Sequence, residues 1–146
     1  MMEIVKSALL VTENEILIQQ LNDIFLKNNY SLYIEKSKIK SILKLLQQEI
    51  NLIMIDIDGS LNFNLELIDI IKRTRPRLPI IILSNDSTVE TLRDFIQAGV
   101  FYYALKPIDD DEIYRLLETV GHVNKLHGNI RNSCHDHFRT KNLMYN

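Results

Sequence analysis

Short apolar runs alternate with stretches of helical periodicity along most of this chain. Ser7 to Val11 reads as a first strand. Leu17, Leu21, Ile24 and Phe25 then recur at helical spacing, marking one face of a helix that ends near Asn28 and Asn29. Tyr30 to Glu35 is a second, partly polar strand, and Ile39, Ile42, Leu43 and Leu46 predict the buried face of a second helix. The run over 51–56 is unbroken from Leu52 to Ile55 and ends in a carboxylate, Asp56. It is too short for a helix and suits a strand covered on both faces. Leu65, Ile68 and Ile71 support a third helix that stops before Pro76. Pro79 to Ser84 is a fourth strand, leading into a helix with Val89, Leu92, Phe95 and Ile96 that closes at Gly99. Val100 to Leu105 is a fifth strand. Asp109 and Glu112 have the spacing of a capping box, and Ile113, Leu116, Leu117, Val120 and Val123 continue a last helix toward Leu126 and Gly128.

Strands alternating with helices over short connections predict an α/β fold, a doubly wound five-stranded parallel sheet with helices on both faces. The chain has 146 residues, 46% hydrophobic and 25% charged, enough for one domain with its own core. A net charge of -2 gives no global pull toward nucleic acid or an anionic membrane. The single cysteine, Cys134, excludes an internal disulfide and predicts a reducing compartment, the cytoplasm. No signal-peptide core or membrane span is predicted.

In open α/β sheets the chemistry gathers beyond the carboxyl ends of the strands. Here those ends carry Thr12 and Glu13, Asp56, Ser84, and Lys106 with Pro107. Two acids, two hydroxyls and an ammonium group would converge on one crevice. Each also has an ordinary reading: Asp56 as a turn residue, Ser84 as a helix cap, Tyr103 as core. The acids over 109–112 are a solvated first helical turn favoured by the helix dipole.

The motifs Leu-Leu-Val-Thr-Glu-Asn-Glu (9–15), Leu-Ile-Met-Ile-Asp (52–56), Pro-Ile-Ile-Ile-Leu-Ser (79–84), Ala-Gly (98–99) and Tyr-Tyr-Ala-Leu-Lys-Pro (102–107) occur in a fixed order. Together they make residues 7 to 124 resemble the receiver domain of bacterial response regulators, the CheY-like family with a flavodoxin-like sheet. The resemblance implies a two-component signalling protein and no enzyme in its own right. Asp56 would be the phosphoacceptor, served by a histidine kinase or phosphotransfer protein. Mg²⁺ would be held by Glu13, Asp56 and the backbone carbonyl of Asp58, with Thr12 at a degenerate ligand position. Ser84, Tyr103 and Lys106 would be the phosphate-binding and switch residues, and the Lys106–Pro107 bond would be cis. A downstream protein partner or a homodimer contact would use residues 87–124, with no nucleic acid or membrane bound by the domain.

The chain departs from that pattern in two places. Thr12-Glu13 stands where the family has two acids, which weakens an Mg²⁺ site. Gly59, Ser60 and Asn64 alter the loop after Asp56. The alternative is therefore a degenerate receiver acting as a phosphorylation-independent interaction module. A flavin or nucleotide site would need a glycine-rich loop after the first strand, and residues 12–15 contain no glycine. The domain is expected over 1–126, with 127–146 as a tail or linker. His127, Cys134, His135 and His137 match no closed zinc-site spacing.

Overall fold

The computed structural model describes residues 5–58 and 61–127, with side chains to residue 122. Five parallel strands and five helices alternate: β1 (Lys6–Val11), α1 (Glu15–Lys27), β2 (Tyr30–Glu35), α2 (Lys38–Gln47), β3 (Leu52–Asp56), α3 (Leu61–Thr74), β4 (Ile80–Ser84), α4 (Val89–Ala98), β5 (Tyr102–Leu105) and α5 (Asp110–His127). The strand order is β2-β1-β3-β4-β5. This is the predicted doubly wound sheet, with β3 in the centre. Val100 belongs to the core just ahead of β5 instead of to the strand.

Alternation along each strand splits the core into two layers. Ala8, Leu10, Met54, Leu83 and Ala104 pack under α1 and α5, whose contributions include Leu21, Phe25, Ile113 and Val120. Leu9, Val11, Ile53, Ile55, Ile80 and Ile82 face the other way, toward α2, α3 and α4. Strands buried on both faces leave no room for a polar side chain until they end. That is why the charged and hydroxyl groups appear at the strand ends.

Local chemistry sets the helix ends. The Asn14 side chain accepts from the amides of Ile16 and Leu17, and Ser37 and Thr88 cap α2 and α4 in the same way. Gly99 ends α4 with φ +99°, a conformation that a side chain would strain. Glu112 accepts from the Tyr102 hydroxyl at 2.6 Å, so the residue read as half of a capping box ties α5 to β5. At the foot of the sheet, Asn51 donates its amide to the Ser7 carbonyl at 2.7 Å. Its side chain accepts from the Ser7 amide at 2.8 Å, latching β1 to β3 twice.

Helix α2 corrects one expectation. Ile39, Leu43 and Leu46 are 66%, 53% and 63% exposed, while Ser41 and Leu45 are fully buried and Ile42 packs against the core. The helix has apolar residues on more than one face, so periodicity alone does not choose between them. Ser41 is small enough to bring the helix close to the sheet, and its hydroxyl is satisfied by the Lys38 carbonyl. Arg75, beyond α3, caps the other end by donating to the carbonyls of Leu45 and Gln48. In α4 only Phe95 is fully buried, and Val89 is exposed. Gly59, Ser60, Gly128 and the Cys134, His135 and His137 group lie outside the described residues.

The hydroxyl of Tyr30 is buried against Phe25 without a hydrogen-bond partner among the described residues. Burial raises its pKa above the ordinary 10.0. The folded state keeps this proton when the unfolded chain has lost it, so stability must fall as pH rises past the ordinary tyrosine value. Tyr30→Phe is expected to be neutral or stabilising by about 1 kcal/mol at neutral pH, because no hydrogen bond is lost. It should also soften the alkaline loss. Urea unfolding of both proteins at neutral and alkaline pH checks this; a clear destabilisation at neutral pH would reveal a hidden partner.

Candidate functional site

The register brings the strand ends into one neighbourhood. Val11 pairs with both Glu35 and Ile55, Asp56 with Leu83, and Ser84 with Leu105. Backbone bonds continue the sheet past its strands: Thr12 donates to Glu35, Ile57 to Leu83 and Lys106 to Ser84, at 3.1, 2.9 and 2.8 Å. Thr12 thus stands beside Asp56 across one interstrand spacing. Lys106 stands two spacings away, about 10 Å. Only a long side chain can close that gap.

The Lys106 ammonium group forms an ion pair with Asp56 Oδ1. The other carboxylate oxygen, Oδ2, accepts from the Thr12 hydroxyl at 2.6 Å. That hydroxyl in turn accepts from the Asn14 amide at 3.1 Å, so its proton is directed at the carboxylate. The two charged side chains are 11% (Asp56) and 17% (Lys106) exposed. This leaves the carboxylate short of water and dependent on its two protein donors. The Lys106–Pro107 peptide is cis, as the resemblance implies.

Ser84 is buried between β3 and β5, and its hydroxyl accepts from the Asp86 amide at 3.0 Å. Tyr103 donates to the Asp86 carbonyl at 2.7 Å, with its ring 5.7 Å from that of Phe95. Burial raises the Tyr103 pKa, against a lowering contribution from the nearby Ser84 hydroxyl. Asp86 is held below the usual carboxylate range by hydrogen bonds from the Thr88 amide, the Thr88 side chain and Thr91. By strand alternation Thr12, Asp56 and Lys106 continue the α1/α5 side of the sheet, whereas Ser84 and Tyr103 continue the α2–α4 side.

Glu13 and Asp58 are both exposed. The Asp58 carbonyl accepts from Asn64 Nδ2 at 3.5 Å, the outer limit for such a bond. Two residues escaped the sequence reading as site groups. Asn64 is 2% exposed and accepts from the Lys38 ammonium group at 2.8 Å. A signal for Lys38 was available. A cation in the first turn of a helix opposes the helix dipole, and α2 carries no acid there to offset it.

The response regulator receiver domain family matches residues 8–118. The chain belongs to this family. Among curated proteins it is 34% identical to the nitrogen assimilation regulatory protein NtrX of Azorhizobium caulinodans over 56% of this chain, and 40% identical to the DNA-binding transcriptional regulator NtrC of Proteus hauseri over 44%. It spans 18% and 13% of the lengths of those two proteins. A response regulator from Thermotoga maritima superposes with a TM-score of 0.74 at 20% identity, covering 80% of this chain and 98% of that one. The fold is thus the CheY-like receiver fold, and the domain is a signalling module of two-component systems, NtrX- and NtrC-like in sequence.

Receivers generally bind Mg²⁺, and the rim offers the hard oxygen donors this ion prefers: the Glu13 and Asp56 carboxylates and the Asp58 carbonyl. Among the described residues no three acidic, imidazole or thiolate side chains cluster as a metal site. Thr12 contributes a neutral hydroxyl, and both Asp56 oxygens already hold donors. The donor set fits such an ion in kind but is short of negative charge.

Thr12→Val should cost about 1–3 kcal/mol, because it strips a donor from Asp56 and an acceptor from the Asn14 amide. Thr12→Ser should stay close to the parent. Urea unfolding of the three proteins measures the difference, and equal midpoints for valine and threonine would mean that the hydroxyl is dispensable.

Proposed function

We propose that Asp56 accepts a phosphoryl group from a histidine kinase or phosphotransfer protein and that the domain passes the phosphorylated state to a protein partner. The observation behind this reading is the ion pair of Asp56 with Lys106. It gives a nearly buried carboxylate a cationic partner at the rim of the sheet. In the transfer, a carboxylate oxygen bonds to phosphorus as the bond between phosphorus and the donor breaks, giving a labile acyl phosphate that water can reverse. Lys106 neutralises charge on the acceptor. Thr12 is the uncharged partner and the more readily displaced, so Oδ2 is the oxygen that turns to the incoming phosphorus. The Ser84 hydroxyl then hydrogen-bonds a phosphoryl oxygen and leaves the Asp86 amide. Tyr103 follows by exchanging its bond to the Asp86 carbonyl for a position deeper beside Phe95.

Mg²⁺, when bound, would be held by Glu13, Asp56 and the Asp58 carbonyl, with Thr12 at the neutral position, and would neutralise phosphoryl oxygens. The receiver unit is assigned to residues 1–126 and a tail or linker to 127–146, in a cytoplasmic protein. Partner or homodimer contacts are assigned to residues 87–124. A groove of about 320 Å³ lies on that face, lined by Leu92, Ile96, Tyr102, Tyr103 and Leu105. No helix of the described residues is long and apolar enough to cross a membrane. No nucleic-acid contact is assigned to the domain.

One observation favours a second reading. A hydroxyl stands where the family has an acid, and it binds the acceptor carboxylate directly. A phosphorylation-independent interaction module would need no more than that. The deciding measurement is Mg²⁺-dependent labelling by acetyl phosphate, read as one phosphoryl group of added mass on the intact protein. The parent should gain it and Asp56→Asn should not. No gain in the parent selects the second reading, and a gain in the variant means another acceptor.

A further inference from the structure

Lys38 begins α2 at the same end of the sheet as Asp56. Its ammonium group lies 2.8 Å from Asn64 Oδ1 and 5.8 Å from the centre of the Phe63 ring. Both contacts are on the first turn of α3, so a cation from one helix start is clamped to another. Asn64 is buried, and its amide nitrogen faces the Asp58 carbonyl oxygen at 3.5 Å. The result is a relay from ammonium to amide to backbone carbonyl. It ends on the oxygen that the proposed function assigns to the divalent cation.

This relay opposes a cation in two ways. Lys38 withdraws electron density through the Asn64 carbonyl, which makes the Asn64 amide a better donor toward the Asp58 oxygen 3.5 Å away. A fixed positive charge also stands near any ion that binds there, and partly buried charges are poorly screened. The clamp exists despite the helix dipole of α2, which disfavours a lysine at this position. Thr12 acts in the same direction, since it removes a negative charge from the pocket. Asp56 already has a cationic partner in Lys106 and a hydroxyl donor in Thr12.

We infer that Lys38, acting through Asn64 on the Asp58 carbonyl, holds down the divalent-cation affinity of the Asp56 pocket. Lys38 is a positioning residue in this account, and the inference rests on the assignment of Glu13, Asp56 and the Asp58 carbonyl as the cation's ligands. The test is direct binding of Mg²⁺ by calorimetry and of Mn²⁺ by electron paramagnetic resonance. The full chain would be compared with Lys38→Met, Lys38→Arg and Asn64→Gly. Removing the charge should tighten binding roughly five- to tenfold, Lys38→Arg should match the parent, and Asn64→Gly should move in the same direction as Lys38→Met. A Lys38→Met affinity within about twofold of the parent, or weaker, overturns the inference, since a purely structural lysine would leave screened cation binding no better. Absence of binding in every protein, including Thr12→Asp, overturns it through the ligand assignment. Acetyl phosphate labelling of Asp56 reads out the acceptor chemistry separately.

Discussion

A carboxylate shielded from water must be neutralised by protein, and the rim of this sheet is organised by how Asp56 is neutralised. The central strand delivers it between two neighbours. One supplies a hydroxyl at 2.6 Å, and the ammonium group reaches across from two strands away. Neither donor is adjacent to Asp56 in sequence, so the arrangement exists only when β1, β3, β4 and β5 are paired in register. The apolar interior of those strands secures that register, because a slip by one residue would turn the core faces outward. Burial on both faces and a charged pair at the rim are therefore two aspects of one design.

Much of this was legible in the chain. The strand at 52–56 announced itself as an apolar run stopped by an acid, and the buried set of α1 is the set its periodicity predicts. The meeting of Thr12, Asp56 and Lys106 followed from the rule that parallel strands present their carboxyl ends together. Helix α2 was misread because Ile39, Ile42, Leu43, Leu45 and Leu46 cover more than one face. The buried stripe runs through Ser41, whose small side chain gives no hydrophobic signal. Lys38 and Asn64 were missed as partners for a related reason. Their contact joins residues 26 apart through the packing of α2 beside α3, and local sequence does not encode that distance.

Where the family has two acids this chain carries Thr12 and Glu13, one negative charge fewer at the rim. With Thr12 in place of an acid, Lys106 sits on the acceptor carboxylate, and a second ammonium group, Lys38, sits on Asn64 at the start of the neighbouring helix. Protein cations thus partner both the Asp56 carboxylate and the Asn64 amide.

The double latch between Asn51 and Ser7 has a mechanical consequence. With β1 and β3 fastened at the foot by two short bonds, and the backbone ladder extended past the strands at the other end, the sheet has little freedom to shear. Any response to a changed charge at Asp56 must be absorbed by the connecting loops and by side chains swinging around a stationary frame. The sheet then serves as the fixed reference against which such movements register.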